Sequence, residues 1–344
     1  MFELILPVLN KTPVQFSGSV TEDDLSLLSH FQRAKFAEKT WQARRSDLHQ
    51  YHQWCQYQKV SPTSPTPADV CLWLTHMASD NKPNRLRSSA LGSEIYFGSR
   101  LTIRTIRRRL STLKWFLSQS QNPNPANDPL VLAQLSGISR LLASKPKRAS
   151  GLSAQLLPQA LAFIEGENFV ELRDKLILSL GFAGALRVSD LASLQIEHIQ
   201  LYPSGAVLGF EQRKRRSDFS QIQILIGQEP STCPIVLLRD YLKRLNRFNG
   251  PLFCRANRNG KPLNKALHPS SIARIIHKHG SKVATPFMTI SGHSLRRGFI
   301  DSALAKGAPI SEVMKISGHK DPKTLMLYLD ECGLFENHAA QGLY

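Results

Sequence analysis

The chain has 344 residues, 42% of them hydrophobic, which suits one large or two ordinary domains with their own cores and excludes a disordered protein. A formal net charge of +18 and a pI near 10.0 call for a polyanionic partner, nucleic acid first, with a merely basic soluble protein as the plainer alternative. The five cysteines are odd in number and none is at a CxxC spacing, which argues against a disulfide framework or zinc module and fits a reducing cytosol; no apolar run reaches membrane-spanning length.

Residues 1–24 read as a loose N-terminal arm. Its start, "MFELILPVLNK", has an apolar run but neither the basic segment nor the cleavage site of a signal peptide. A helical domain is predicted over 25–143. In "TWQARRSDLHQYHQWCQYQ", Trp41, Leu48, Tyr51 and Cys55 share one face and Thr40 is the expected N-cap. Arg44 and Arg45 on this segment are candidate DNA contacts. In "SPTSPTPADVCLWLTHMA", Thr66 can cap a second helix, Pro67 suits its first turn and Asp69 completes a capping box. Residues 80–100 read as loop. In "LTIRTIRRRLSTLKWFL", Ile103, Ile106, Leu110, Leu113 and Leu117 form an apolar stripe. Arg104 and Arg108 lie opposite it, with Arg107 toward its edge. These arginines suit a DNA backbone or groove, and a solvated helix face is the plain alternative. A further helix is expected over roughly 129–143.

The basic stretch "ASKPKRASG", with 144–151 as its core, reads as an interdomain linker whose Lys145, Lys147 and Arg148 can lie along DNA. From 152 to 344 the pattern is mixed. Helices are expected over about 153–165 and 170–195. "GAVLGF" and "SQIQILI" then form a hairpin around the basic "EQRKRRSD", and helices return after Cys233. The fold class is mainly α with a small β-sheet or hairpin in the second domain.

The tetrapeptide Ile-Ser-Gly-His occurs twice, beginning at Ile290 and at Ile316. After the first copy, His293 and Arg296 are three residues apart and share a helix face. After the second, Asp321 can cap and Pro322 can open a helix that places Tyr328 about two turns in. An arginine, two imidazoles and a phenol suit a phosphodiester: a guanidinium forks its oxygens, imidazoles move protons, and a phenol can attack. The competing reading is a metal pair, for which two histidines without carboxylates or thiolates are a poor donor set. Upstream, "GALRVSDLASL" puts Arg187 and Asp190 in the first turns of an amphipathic helix, where a surface ion pair is the plain reading. Lys214, between Arg213 and Arg215, sits in the predicted hairpin, whose plain reading is a solvated basic turn.

In order, "GALRVSDLASL", "QRKRRSD", "PLFCRANRNGKPL", "SGHSLRRGF" and "EVMKISGHKDPKTLMLYL" resemble the tyrosine recombinases of the phage integrase family, and most of all its Cre-like members. With the helical stretch around "RRSDLHQYHQWCQ", the likeness covers roughly residues 25–340. The resemblance implies a two-domain DNA clamp, a helical SAM-like core-binding domain followed by an integrase-type catalytic domain. It assigns catalytic roles to Arg187, Lys214, His293, Arg296, His319 and Tyr328, with Asp190 supporting Arg187. His319 stands where most members have histidine and Cre has tryptophan. One departure is visible: Arg297 follows Arg296 where many members have histidine.

The implied activity is site-specific recombination of double-stranded DNA at a short inverted-repeat site, through a 3′-phosphotyrosyl link and a Holliday junction. The implied assembly is a homotetramer on two DNA sites, monomeric or weakly associated without DNA, using no ATP, metal or other cofactor. The implied setting is the cytoplasm, bacterial or phage- or plasmid-encoded, near the nucleoid, with no membrane. The tail "LDECGLFENHAAQGLY" would form a short helix, either exchanged with a neighbouring subunit or folded back. A separate arm-binding domain is not expected. Rivals are a type IB topoisomerase or telomere resolvase, an architectural DNA-binding protein, and a metal-dependent nuclease.

Overall fold

Helix α1, Glu38–Gln58, starts two residues before the predicted cap. Ala37 is its N-cap and the Ala37 carbonyl accepts from the Thr40 N–H at 2.8 Å, so Thr40 lies inside the first turn. The computed structural model describes residues 36–89, 92–119, 123–143, 148–210 and 220–329; the N-terminal arm, Lys145, Lys147, Lys214 and the tail after Leu329 lie outside them. The chain divides into two compact units, Met1–Lys145 and Pro146–Tyr344.

In the first unit, α1 buries Tyr51, Trp54 and Cys55, with Trp41 and Leu48 half-buried. Helix α2, Pro67–Ala78, begins with the predicted capping box: Thr66 N–H donates to Asp69 Oδ2 at 2.8 Å and Asp69 N–H to Thr66 Oγ1 at 3.2 Å. The loop predicted over 80–100 is instead an antiparallel hairpin, β1 Lys82–Ser89 and β2 Gly92–Gly98, pairing Arg85 with Tyr96 and Ser89 with Gly92. The Pro, Asn and Ser residues of this stretch signal turns, and the apolar residues of "SEIYF" run consecutively, without the period-2 alternation that marks a half-buried strand. Helix α3, Ile103–Leu117, buries Ile106, Leu110, Leu113 and Leu117 as the stripe requires; α4 is Pro129–Leu141.

Helix α3 also buries Arg109, which the pattern does not announce. Buried Asp47 of α1 gathers Arg108 Nη2 at 2.9 Å, Arg109 Nε at 3.7 Å and the Thr112 hydroxyl at 3.1 Å. Burial pushes the Asp47 carboxyl up, against the pull of Arg108, Thr112 and Arg109. Asp47→Ala strips a buried guanidinium of this counter-charge. It is expected to cost about 3–5 kcal/mol of stability, read by urea unfolding; a cost near zero would contradict the role.

In the second unit, α5 (Leu156–Ala162), α6 (Phe169–Ala183) and α7 (Val188–Ser193) are followed by a three-stranded antiparallel sheet of order β3-β4-β5. Its strands are β3 Ile199–Tyr202, β4 Gly205–Phe210 and β5 Ser220–Leu225. The last two are the predicted hairpin, with Phe210 opposite Ser220. Then come α8 (Pro234–Leu245), the hairpin β6 Cys254–Ala256 and β7 Pro262–Ala266, and α9 (Pro269–Gly280). Helices α10 (Ser294–Ala305), α11 (Ile310–Ser317) and α12 (Pro322–Leu329) end the described chain. The main core joins Leu176, Ile177 and Leu180 of α6 to Leu208 and Ile222 of the sheet and Leu238 of α8. A smaller cluster, Ile300, Leu304, Val313 and Leu325, ties α10, α11 and α12 together.

The helix expected over 170–195 is two helices. Leu186 N–H reaches the Gly181 carbonyl and Ala185 N–H the Phe182 carbonyl, both at 2.9 Å, the pattern of a Schellman C-cap. Ala185 takes the left-handed position at φ 47°, which usually falls to glycine. No helix among the described residues is long and apolar enough to cross a membrane.

Candidate active site

Four predicted site residues converge where α6 breaks and α10 begins. The left-handed turn at Ala185 aims its carbonyl at Arg296 Nη1, which donates to it at 2.9 Å. Arg296 is 4% exposed, a buried guanidinium fixed by that backbone oxygen. The same turn delivers Arg187 to the start of α7. Its backbone N–H donates to Asp190 Oδ2 at 3.1 Å, and its guanidinium lies 3.9 Å from that oxygen. The Arg187 side chain remains 40% exposed. One guanidinium is thus sunk in the wall of the site and one stands at its mouth.

The second Ile-Ser-Gly-His copy brings in His319. Gly318 ends α11 in the left-handed conformation, φ 67°, and turns the chain back toward α10. Arg296 Nη2 lies 3.1 Å from His319 Nε2, and the hydroxyl of buried Ser317 lies 2.8 Å from Nδ1. The same Nη2 lies 3.4 Å from Nδ1, and a guanidinium, which can only donate, disfavours a protonated ring beside it. Burial and the charges of Arg296 and Arg187 push the His319 ring down to about 4.

The first copy uses its residues differently. Ser291 Oγ accepts from the His293 N–H at 3.2 Å, and Gly292 allows close approach, since a Cβ there would meet Val188 Cγ1 at 2.7 Å. His293 is the exposed N-cap residue of α10, next to the segment that packs on the start of α7. The echo is therefore not a structural repeat: one Ser-Gly pair aims an imidazole, the other seats a helix start. Tyr328 lies in the last turn of α12, opened by Asp321, whose Oδ1 accepts from the Lys323 N–H at 2.9 Å. Leu325 is buried and anchors this helix; the Tyr328 side chain lies outside the described residues.

The predicted DNA contacts divide. Arg104 is exposed, and Arg107 is exposed with Nη2 donating to Ser139 at 3.1 Å. Arg108 is tied to Asp47, Arg45 is half-buried and Arg148 lies at the edge of the second unit's described chain. Arg44 is sandwiched, its guanidinium 3.9 Å from the Phe36 ring centre and 4.1 Å from that of Trp115. The sequence reading missed Ser317 and the Ala185 carbonyl. A serine two residues before a site histidine is a signal for the first; nothing in the local sequence announces the second.

Two guanidiniums and a neutral imidazole around one half-buried space form a preorganised donor set for an oxyanion. The His319 ring faces two guanidiniums, whose positive charge disfavours a cation beside it. Among the described residues there is no group of three or more His, Cys, Asp or Glu placed to hold a metal ion.

A pH prediction follows for the DNA-free protein. The His319 ring should titrate with a midpoint near 4 by NMR, and Arg187→Gln should move it upward. An unfolded histidine takes its proton near 6.5. As pH falls from there toward 4, the unfolded chain binds a proton the folded one refuses, so His319 withdraws stability in that window. A midpoint in the ordinary histidine range would contradict the assignment.

Residues 152–332 match the model of the phage integrase family. The chain is 26% identical over 313 residues to an integrase/recombinase xerD homolog of Selenomonas ruminantium, covering 90% of this chain and 86% of that one. It is 28% identical over 233 residues to tyrosine recombinase XerD of Staphylococcus aureus, covering 65% and 71%. Its fold resembles that of the Tn1549 transposon integrase in complex with transposon right end DNA, with a TM-score of 0.56 at 14% identity, covering 88% and 92%.

Proposed function

The chain belongs to the phage integrase family, and from that premise we propose that it is a tyrosine recombinase that cuts and rejoins double-stranded DNA at a specific site. The observation that carries the proposal is the convergence of Arg296, His319 and Arg187 beside α10, with Tyr328 on the helix that packs against it.

Tyr328 Oη attacks the scissile phosphorus; the bond to the 5′-oxygen breaks and a 3′-phosphotyrosyl link forms. Arg187 and Arg296 donate to the non-bridging oxygens as charge builds there. A phosphate oxygen that takes Arg296 Nη2 draws it off the His319 ring. The Ser317 hydroxyl, able to donate or accept, then supports the tautomer whose Nε2–H points at the phosphate. His293 accepts or orients the tyrosine proton, Lys214 protonates the leaving 5′-oxygen, and Asp190 steadies Arg187. Reversal with a new 5′-hydroxyl reseals the strand and conserves the phosphodiester energy.

The rest of the proposal is carried by the resemblance. It comprises an N-terminal arm (1–24), a SAM-like core-binding domain (25–143), a linker (144–151) and a catalytic domain (152–344). The assembly is a homotetramer on two Cre-like inverted-repeat sites, passing through a Holliday junction in the cytoplasm. A supercoiled plasmid with two copies of a selected site tests it. Recombinant products that require both copies are expected. Relaxation of a site-free plasmid would instead favour the topoisomerase rival.

The chemistry is proposed to run on protein side chains alone. Covalent adduct should form undiminished in EDTA; complete loss in chelator, restored by magnesium, would contradict this.

A further inference from the structure

Arg297, the departure noted in the sequence, does not join the phosphate-facing set. Its Nη1 donates to the Ala149 carbonyl at 3.0 Å and its Nε lies 3.3 Å from Asp301 Oδ2. Ala149 opens a segment that lies along α10. Ser150 N–H donates to the Thr289 carbonyl at 2.8 Å, and Thr289 N–H donates back to Ser150 Oγ at 3.0 Å. Leu152 N–H donates to the Ser294 carbonyl at 2.8 Å, and Ala154 N–H to the Ser302 hydroxyl at 2.9 Å. The segment thus engages Ser294, Arg297, Asp301 and Ser302, one face of α10 at helical spacing.

The approach is close enough to need glycine. A Cβ on Gly298 would lie 1.8 Å from the Leu152 carbonyl oxygen, which is backbone and cannot swing aside. Leu152 itself is fully buried and joins the main core. Arg296, the neighbour of Arg297, turns away to Ala185 and His319 on another face. One face of α10 is therefore tied down while another presents the buried guanidinium.

We propose that residues 149–154 form a positioning strap on α10, clasped by Arg297, and that this strap sets the rotation of α10 at which Arg296 meets the scissile phosphate. Arg297 is then a positioning residue, acting through Arg296. The proposal rests on the recombinase reading above.

The test uses the full chain. Single-turnover cleavage of a nicked duplex at saturating protein is compared for wild type, Arg297→Ala and Arg297→Lys, alongside amide exchange of residues 148–154. Arg297→Ala is expected to speed exchange at Ser150 and Leu152 and to slow cleavage by roughly tenfold to a hundredfold, the effect of losing a charged hydrogen bond. DNA affinity should hold, so the loss falls on kcat and not on KM. Arg297→Lys, which keeps a charge for Asp301 without the fork, should fall between. Faster exchange with wild-type cleavage would overturn the proposal, as would unchanged exchange. Should Arg297→Ala not fold, Ser150→Ala makes the same comparison by removing one strap bond. If wild type forms no adduct, the recombinase reading fails, and the clasp is judged by exchange alone.

Discussion

Tyr328→Phe is expected to lower covalent adduct formation by on the order of a millionfold, which is to background, because in the proposed mechanism this hydroxyl alone supplies the attacking oxygen. The substitution removes one hydroxyl and keeps the ring. Helix α12 is held by the Asp321 cap and by Leu325 buried among Ile300, Leu304 and Val313. Folding and DNA binding should therefore match wild type. The readout is an SDS-resistant protein–DNA band on a nicked duplex. A phenylalanine variant that still forms the band would move the nucleophile elsewhere in the chain.

The second large effect is Arg296→Lys, expected to slow cleavage roughly a hundred- to a thousandfold while the net charge is unchanged. In the DNA-free protein Arg296 uses one arm on the Ala185 carbonyl and offers another toward His319. Lysine has a single nitrogen and cannot hold the backbone oxygen and fork a phosphate together. DNA affinity, set by many phosphate contacts, should change little. A lysine variant cleaving at near wild-type rate would show that positive charge alone suffices and would remove the forked arginine from the account.

How much of this was legible in the sequence depends on how local each signal is. Thr66, Pro67 and Asp69 announce a helix start within four residues, and the structure has that capping box. The stripe from Ile103 to Leu117 announces its buried face. The hairpin over 82–98 was not legible, because its Pro, Asn, Gly and Ser residues signal turns locally and its strands form by pairing two short segments with each other. Arg104, Arg107 and Arg108 carry the basic face that the pattern announces, and it gives no sign that Arg109 beside them turns inward, because Asp47 lies sixty-two residues earlier on another helix. At the site, residue types at fixed spacing reveal that arginine, histidine and tyrosine occur in order. They do not reveal that a left-handed alanine supplies the carbonyl that fixes Arg296, or that Arg297 reaches the Ala149 carbonyl and Asp301.

The most direct measurement offers the purified protein a pool of partly random duplexes carrying central nicks, then digests the SDS-resistant adduct and finds the modified peptide by mass spectrometry. The account predicts a nucleotide-bearing mass on the peptide containing Tyr328, with the trapped DNA sharing one sequence. A nucleotide on any other residue, or tight binding to selected DNA with no adduct at all, would contradict it.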